Sequence, residues 1–135
     1  MKLSEYKETY YTFTAKASDV ARTAAFAGIA LVWVFKIDAK PIPRLPGDLL
    51  LPTGLFTLGI GFDLIHYVAA SVIWGLFHRH HEKRLVNRTD DPELEHSPWL
   101  LRIINCLFAL KLLCVTSGYA FTILFIVRQW IAVSP

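Results

Sequence analysis

Two long apolar runs dominate the hydrophobic pattern of this chain, and each run carries a single full charge. The first covers residues 49–77 and contains Asp63, and the second covers residues 103–127 and contains Lys111. About 20 apolar residues are enough for a helix to cross a bilayer, so both runs predict membrane helices. A charged side chain at mid-bilayer costs at least about 2.5 kcal/mol on insertion scales, so such residues are usually paired or functional. Asp63 and Lys111 are therefore the first candidates for a site.

A shorter apolar segment predicts a further membrane helix over residues 20–37. Its uncharged part is short, but the flanking Arg22 and Lys36 extend it by snorkelling toward opposite membrane interfaces. Ala24 and Gly28 are four residues apart, a spacing that lets another helix approach closely. Small residues predicted to allow helix packing on the three spans are Ala24, Gly28, Gly59 and Gly118.

Residues ahead of this first span repeat with helical period and form a stripe from aromatic to apolar side chains. The stripe consists of Tyr6, Tyr10, Phe13, Ala17, Val20 and Ala24. Steps of three and four residues place all of them on one helix face. We interpret residues 4–37 as one long helix or two nearly continuous ones, with residues 1–19 an amphipathic helix on the cytoplasmic side. The stripe then docks a partner, lies along lipid headgroups or packs within the protein, and the sequence leaves these alternatives open.

The second span, residues 49–78, is longer than the bilayer requires. The apolar run alone extends about 43 Å at the α-helical rise, against a hydrocarbon core of roughly 30 Å. Gly59 and Gly61 offer a break point, but we favour one continuous helix because it places Asp63 centrally. A third span is predicted over residues 99–128.

Polar segments separate the spans, and their charges predict an orientation. Three prolines within residues 38–48 favour an extended connection, and residues 79–98 form a charged loop. With three spans, nine Lys and Arg residues lie on the side of the N-terminus and this loop, and four lie on the other side. The positive-inside rule therefore places the N-terminus in the cytoplasm and the C-terminus outside.

Composition fits a membrane protein and excludes several other classes. The 135 residues are 54% hydrophobic with a mean hydropathy of +0.41, which is too apolar for most soluble domains of this size. The net charge of +3 is spread along the chain, so no nucleic-acid partner is predicted. No nucleophile, phosphate-loop or metalloprotease motif is present in the sequence, so we predict neither an enzyme nor a cofactor.

The polar residues inside the spans predict a buried network or a pore. Asp63, His66 and Tyr67 share one face of the second span, and an antiparallel third span brings Lys111 level with His66 and within reach of Asp63. One interpretation is a structural Asp63–Lys111 pair that fixes helix register, with His66 and Tyr67 completing its hydrogen bonds. Another is a polar path for protons or ions, or a charge that responds to a ligand. A third is that Lys111 snorkels to the cytoplasm and leaves Asp63 protonated.

A histidine-rich cluster is the only metal candidate in the sequence, and it is weak. His78, His81 and Glu82 fall on one helical face and could bind a metal ion. We interpret them as a polar cluster at a helix end and predict no metal.

The stretch from residue 10 to residue 36 resembles the opening of a group of small uncharacterised bacterial multi-span membrane proteins. The resemblance extends to the proline-rich link and to a motif formed here by Trp74, Gly75, Phe77 and Arg79. Proteins of this kind occur as partners in bacterial anti-phage defence, so the resemblance implies a membrane effector or sensor in the inner membrane. It assigns no role to any residue.

The sequence thus predicts an all-α integral membrane protein with three transmembrane helices, an N-terminal cytoplasmic extension and a homo-oligomeric bundle in the lipid bilayer. The leading functional hypothesis is a membrane protein that gates or perturbs permeability, as a defence effector. The alternative is a non-conducting module that docks a cytoplasmic protein or responds to a small-molecule trigger. A minimal proton-coupled transporter is less favoured because the sequence contains no internal repeat.

Overall fold

A computed structural model describes residues 3–38, 41–82 and 98–133, with side chains described for residues 8–38, 41–80, 99 and 101–133. Across these residues the chain forms three long helices: α1 (Leu3–Val34), α2 (Leu50–Glu82) and α3 (Pro98–Val133). A single 3-10 turn, Gly47–Leu49, leads into α2. All three helices are long and apolar enough to cross a membrane, which confirms the all-helical class and the expected number of membrane-length helices among the described residues.

The helix bounds differ in detail from the sequence-based expectation. α1 runs without interruption past residues 19 and 20, where the cytoplasmic helix and the first span were expected to meet. α2 continues through Gly59 and Gly61, so the preferred single helix is the observed one. A glycine inside a helix costs only about 1 kcal/mol relative to alanine, which tertiary packing easily offsets.

The proline-rich connection folds back so that α1 and α2 run antiparallel. Ile37 and Arg44 exchange backbone hydrogen bonds of 2.7 and 3.0 Å, which hold these two points of the chain side by side. Beneath it, the ring of Phe35 packs edge-on against Phe125 of α3 with centroids 5.6 Å apart. This apolar contact joins the end of α1 to α3 at the end of the bundle that carries the connection.

One layer further into the bundle, Phe56 of α2 fills the space between two glycines of the other helices. A Cβ built on Gly28 would lie 2.5 Å from Phe56 Cζ, and one built on Gly118 would lie 2.7 Å from Phe56 Cε1. Tyr119 packs edge-on against the same ring with centroids 5.0 Å apart and donates a 2.8 Å hydrogen bond to the carbonyl oxygen of Ala24. Phe56 is fully buried, so this layer closes the interior of the bundle.

The other predicted packing glycine brings α2 and α3 together. A Cβ on Gly59 would lie 2.7 Å from Val115 Cγ2 and 3.6 Å from the backbone oxygen of Lys111. The small residues therefore lie at close helix approaches, and the next turn of α2 beyond Gly59 carries Asp63.

The buried face of α1 is not the aromatic stripe. The side chains that α1 buries are small and repeat in steps of three and four: Ser18, Ala21, Ala25, Gly28 and Val32. Tyr10 and Phe13 are 56% and 67% exposed, and Val20 is exposed as well. The alternative in which the stripe packs within the protein is therefore wrong for Tyr10, Phe13 and Val20. The Tyr6 side chain lies outside the described residues.

Candidate functional site

Asp63 joins charged side chains from both of the other helices. Its Oδ1 atom is 2.6 Å from Nζ of Lys111 on α3, and its Oδ2 atom is 2.6 Å from Nε of Arg22 on α1. Asp63 is 5% exposed and Lys111 only 1%. Because one carboxylate binds two cations on two different helices, it ties all three helices together at a single level.

Ser18 and Tyr67 complete the hydrogen bonds of this cluster. The Ser18 hydroxyl accepts a short hydrogen bond from Lys111 Nζ and donates one of 3.3 Å to Asp63 Oδ1. The Tyr67 hydroxyl lies 3.3 Å from the same Ser18 oxygen, and because the Ser18 proton is donated to Asp63, Tyr67 is the donor of this hydrogen bond. We call these five residues, Ser18, Arg22, Asp63, Tyr67 and Lys111, the charged layer.

Aromatic rings lie against both cations of the charged layer. The guanidinium carbon of Arg22 is 5.1 Å from the centroid of the Tyr67 ring. Nζ of Lys111 is 5.6 Å from the same centroid and 5.2 Å from that of Phe108. Rings at this distance attract a cation through their negative faces, so they partly replace the hydration that the charges lose.

His66, expected in the same network, is adjacent to it without being hydrogen-bonded to it. Its ring centroid is 5.4 Å from that of Tyr67 and 6.3 Å from that of Phe108. The buried Nδ1 atom has no hydrogen-bond partner among the described residues. The expectation that His66 completes the hydrogen bonds of the pair is therefore wrong, whereas Tyr67 takes that role.

The charged layer has an excess of positive charge, and that charge faces outward. The layer contains two cations, Arg22 and Lys111, and one anion, Asp63, so its formal charge is +1. The Arg22 side chain is 40% exposed and lies in an open groove of about 540 Å³ between α1 and α2. The rest of the groove is lined mainly by apolar residues, Phe26, Ile60 and Leu64, with Tyr67 and Asp63 beside Arg22.

The charged layer lies well inside the three membrane-length helices. Arg22 is 12 residues from the end of α1 at Val34, about 18 Å along the helix axis. Asp63 and Lys111 are each 13 residues from the starts of α2 and α3, about 20 Å. Charges at this depth are costly when they face lipid, so the exposed part of Arg22 needs a partner or a polar path.

Ser18 and Arg22 are the members of the layer that the sequence interpretation missed. Arg22 was expected to snorkel to the membrane interface, but its Nε atom instead donates to Asp63. A signal was present: Ser18 continues the small-residue series of Ala21, Ala25 and Gly28, which marks a face of close helix approach. A polar residue at the end of that series points to an intramembrane hydrogen bond.

The remaining candidates lie away from this layer. Among the described residues, no group of three His, Cys, Asp or Glu side chains is arranged to bind a metal ion. His78 is exposed near the end of α2, and the side chains of His81 and Glu82 lie outside the described residues. Cys106 and Cys114 are free thiols.

Comparison with known proteins gives no functional assignment. No protein-family model, curated protein or solved structure matches the chain. Conclusions about function therefore depend on the charged layer and on the exposed surfaces of α1 and α2. Chemically, the layer joins three helices through one carboxylate and two cations.

Proposed function

We propose that this protein assembles with copies of itself in a membrane and gates membrane permeability, with the charged layer as the closed gate. The observation that supports the proposal is the double ion pair of Asp63, which joins Arg22 and Lys111 well inside the membrane-length helices. Removing that one carboxylate leaves two cations from different helices side by side. Their repulsion favours a different helix arrangement, which is the property a gate needs.

The path in this proposal runs between copies and not through the three-helix unit. The interior of one unit is filled by Phe56 between Gly28 and Gly118. In contrast, Tyr67 is exposed and Arg22 is partly exposed in the groove between α1 and α2. Copies that face one another across this groove enclose polar groups at the depth where a permeation path needs them.

Ion flux through purified protein in liposomes tests the proposal. We expect wild-type protein to show low flux and the Asp63→Asn variant to admit anions, because only Arg22 and Lys111 remain charged in the layer. Positively charged rings select anions in membrane pores. The measurement is chloride and potassium flux with matched amounts of inserted protein.

Two controls separate gate opening from damage to the fold. Retention of a large fluorescent dye in the same vesicles shows that the bilayer is intact. The double variant Asp63→Asn with Lys111→Met carries less unpaired charge and is expected to reduce the chloride flux of the single variant. Chloride flux that is equal in wild type and Asp63→Asn would contradict the gate.

If the gate opens in a bacterial inner membrane, ions flow down their gradients and the membrane potential falls. Such an effect would serve as the effector step of anti-phage defence that the resemblance of residues 10–36 implies. In this proposal the N-terminus lies in the cytoplasm, as the distribution of Lys and Arg predicts.

A docking role is the second candidate, and the exposed stripe of α1 favours it. Tyr10 and Phe13 extend beyond the charged layer on the same helix and are largely exposed. Exposed aromatic side chains of this kind are typical anchors in protein interfaces. The candidate is a module that holds a cytoplasmic protein at the membrane without conducting ions.

Photo-crosslinking in cells tests the docking role. A photoreactive amino acid at Tyr10 or Phe13 is expected to give an adduct with a second, different protein, whereas the same group at the exposed Trp33 is not. Adducts with lipid or with the chain itself alone, at both stripe positions, would contradict the docking role.

A further inference from the structure

Asp19 is a charged residue of α1 that the charged layer does not use. It is exposed, and within the described part of the chain its carboxylate has no hydrogen-bond or ion-pair partner. It lies inside the membrane-length segment Glu8–Val34, three residues before Arg22. An unpaired carboxylate on a membrane helix is costly, so its charge needs a partner outside the single copy.

Asp19 shares a helix face with the residues that line the groove between α1 and α2. It precedes Arg22 by three residues and Phe26 by seven, spacings that place all three on one side of the helix. Arg22 and Phe26 both line the groove. The surface along α1 at the groove therefore presents a negative group and, one turn further, a positive group.

Arg22 and Asp19 are neighbours of opposite charge on this face, and the exposed Lys16 lies one turn further toward the N-terminus. The charged layer carries +1, and Asp19 carries −1. Arg22 uses Nε for Asp63, and a guanidinium has further N–H donors on its two terminal nitrogens. Because 40% of the Arg22 side chain is exposed, these nitrogens can reach a second carboxylate.

We infer that the groove between α1 and α2 is a self-association surface, in which Arg22 of each copy pairs with Asp19 of its partner. In two parallel copies these residues differ in height by three residues, about 4.5 Å, which an arginine side chain spans. A two-fold axis repeats the contact, so both carboxylates and both guanidinium groups are satisfied. The inference rests on the self-assembly part of the proposed function.

A second copy fits this surface better than a lipid does. The phosphate of a lipid headgroup would neutralise Arg22 but would leave Asp19 unpaired and would repel it. An occupant must offer a cation and a carboxylate at the same spacing, and the same face of another copy does so. In the closed assembly, the apolar groove residues Phe26, Ile60 and Leu64 then pack against the partner instead of against lipid.

The mass of the purified protein, measured by native mass spectrometry from nanodiscs across a dilution series, tests the inference. Wild type is expected to be a dimer or larger assembly, and Asp19→Asn is expected to weaken association by about tenfold or more. Asp19→Glu restores the charge and is expected to restore assembly. Asp38→Asn removes a carboxylate outside the helices, next to Lys36, and is the matched control expected to assemble as wild type.

Each remaining outcome overturns the inference in a recognisable way. A wild-type monomer contradicts both the inference and the self-assembly of the proposed function. Wild-type and Asp19→Asn assemblies of equal strength contradict the inference alone, because the copies then associate through another face. Bound lipid that displaces the second copy in both proteins assigns the groove to lipid.

Thermal unfolding of Asp19→Asn is expected to match wild type, since an exposed side chain without a partner adds little to the stability of the single copy.

Discussion

Replacing Asp63 with asparagine is expected to destabilise the folded protein by about 3 kcal/mol, the scale seen when one partner of a buried ion pair is removed. The substitution leaves the Lys111 ammonium, which is almost completely buried, with only the Ser18 hydroxyl and nearby rings as neighbours. It also places the Arg22 guanidinium near that ammonium without a counter-charge. Thermal and denaturant unfolding in the same detergent measures the loss.

A double-mutant cycle distinguishes the ion pair from general damage. Lys111→Met alone is expected to cost less, because Asp63 keeps its bond to Arg22. The combination of Asp63→Asn with Lys111→Met is expected to recover about 2 kcal/mol relative to the sum of the single losses. Asp38→Asn, which breaks the exposed 3.8 Å pair with Lys36, is the control and is expected to change stability by less than about 0.5 kcal/mol.

The cycle also bears on the role of the charged layer. If the double variant is as stable as wild type and shows the same flux, the Asp63–Lys111 pair is a structural device that fixes helix register. If it is stable but its flux differs from wild type, the charges act on permeation. An Asp63→Asn variant as stable as wild type would contradict the ion-pair account altogether.

The three helices and the main polar pair follow from simple distances along the sequence. Long apolar runs identify α2 and α3, and counting residues from their shared edge brings Lys111 within reach of Asp63. The structure places these two groups 2.6 Å apart. This estimate succeeds because an α-helix has a fixed rise, so axial position can be calculated before any packing is known.

Counting residues along the sequence does not predict which face of α1 turns toward the other helices. In water, the more hydrophobic face of a helix turns inward, and the stripe with Tyr10 and Phe13 is the more hydrophobic one. In a bilayer, lipid is as apolar as the protein interior, so hydrophobicity does not separate inside from outside. Close packing does, and it selects the small series from Ser18 to Val32. That rotation turns Ser18 inward, with Arg22 beside it, and extends the charged layer to a third helix.

The roles of His66 and Tyr67 depended on side-chain direction, which spacing does not give. Both were expected near Asp63, and both are near it. The Tyr67 hydroxyl reaches Ser18, whereas the buried His66 Nδ1 lies beside rings instead of donors or acceptors. Two neighbouring residues of one helix can therefore differ in their hydrogen bonds because their side chains leave the helix in different directions.

Replacing Phe56 with alanine is expected to destabilise the protein by about 3 to 4 kcal/mol, because it empties the space between α1 and α3. Phe56 is fully buried, and its ring contacts both glycines and Tyr119. Unfolding of Phe56→Ala in detergent measures the loss. Phe121→Ala is the matched control, since Phe121 is exposed on α3 and its loss leaves no buried cavity.

The glycines give the reciprocal test of the same layer. Gly28→Ala places a methyl group 2.5 Å from the ring, and overpacking of this kind typically costs about 1 to 3 kcal/mol. Gly61→Ala meets nothing within 4 Å and is expected to be neutral or slightly stabilising. Gly28→Ala combined with Phe56→Leu is expected to recover part of the loss, because a smaller side chain makes room for the methyl group. If Gly28→Ala is instead as stable as Gly61→Ala, the ring moves easily, and the Phe56 layer cannot be what keeps the interior of the bundle closed.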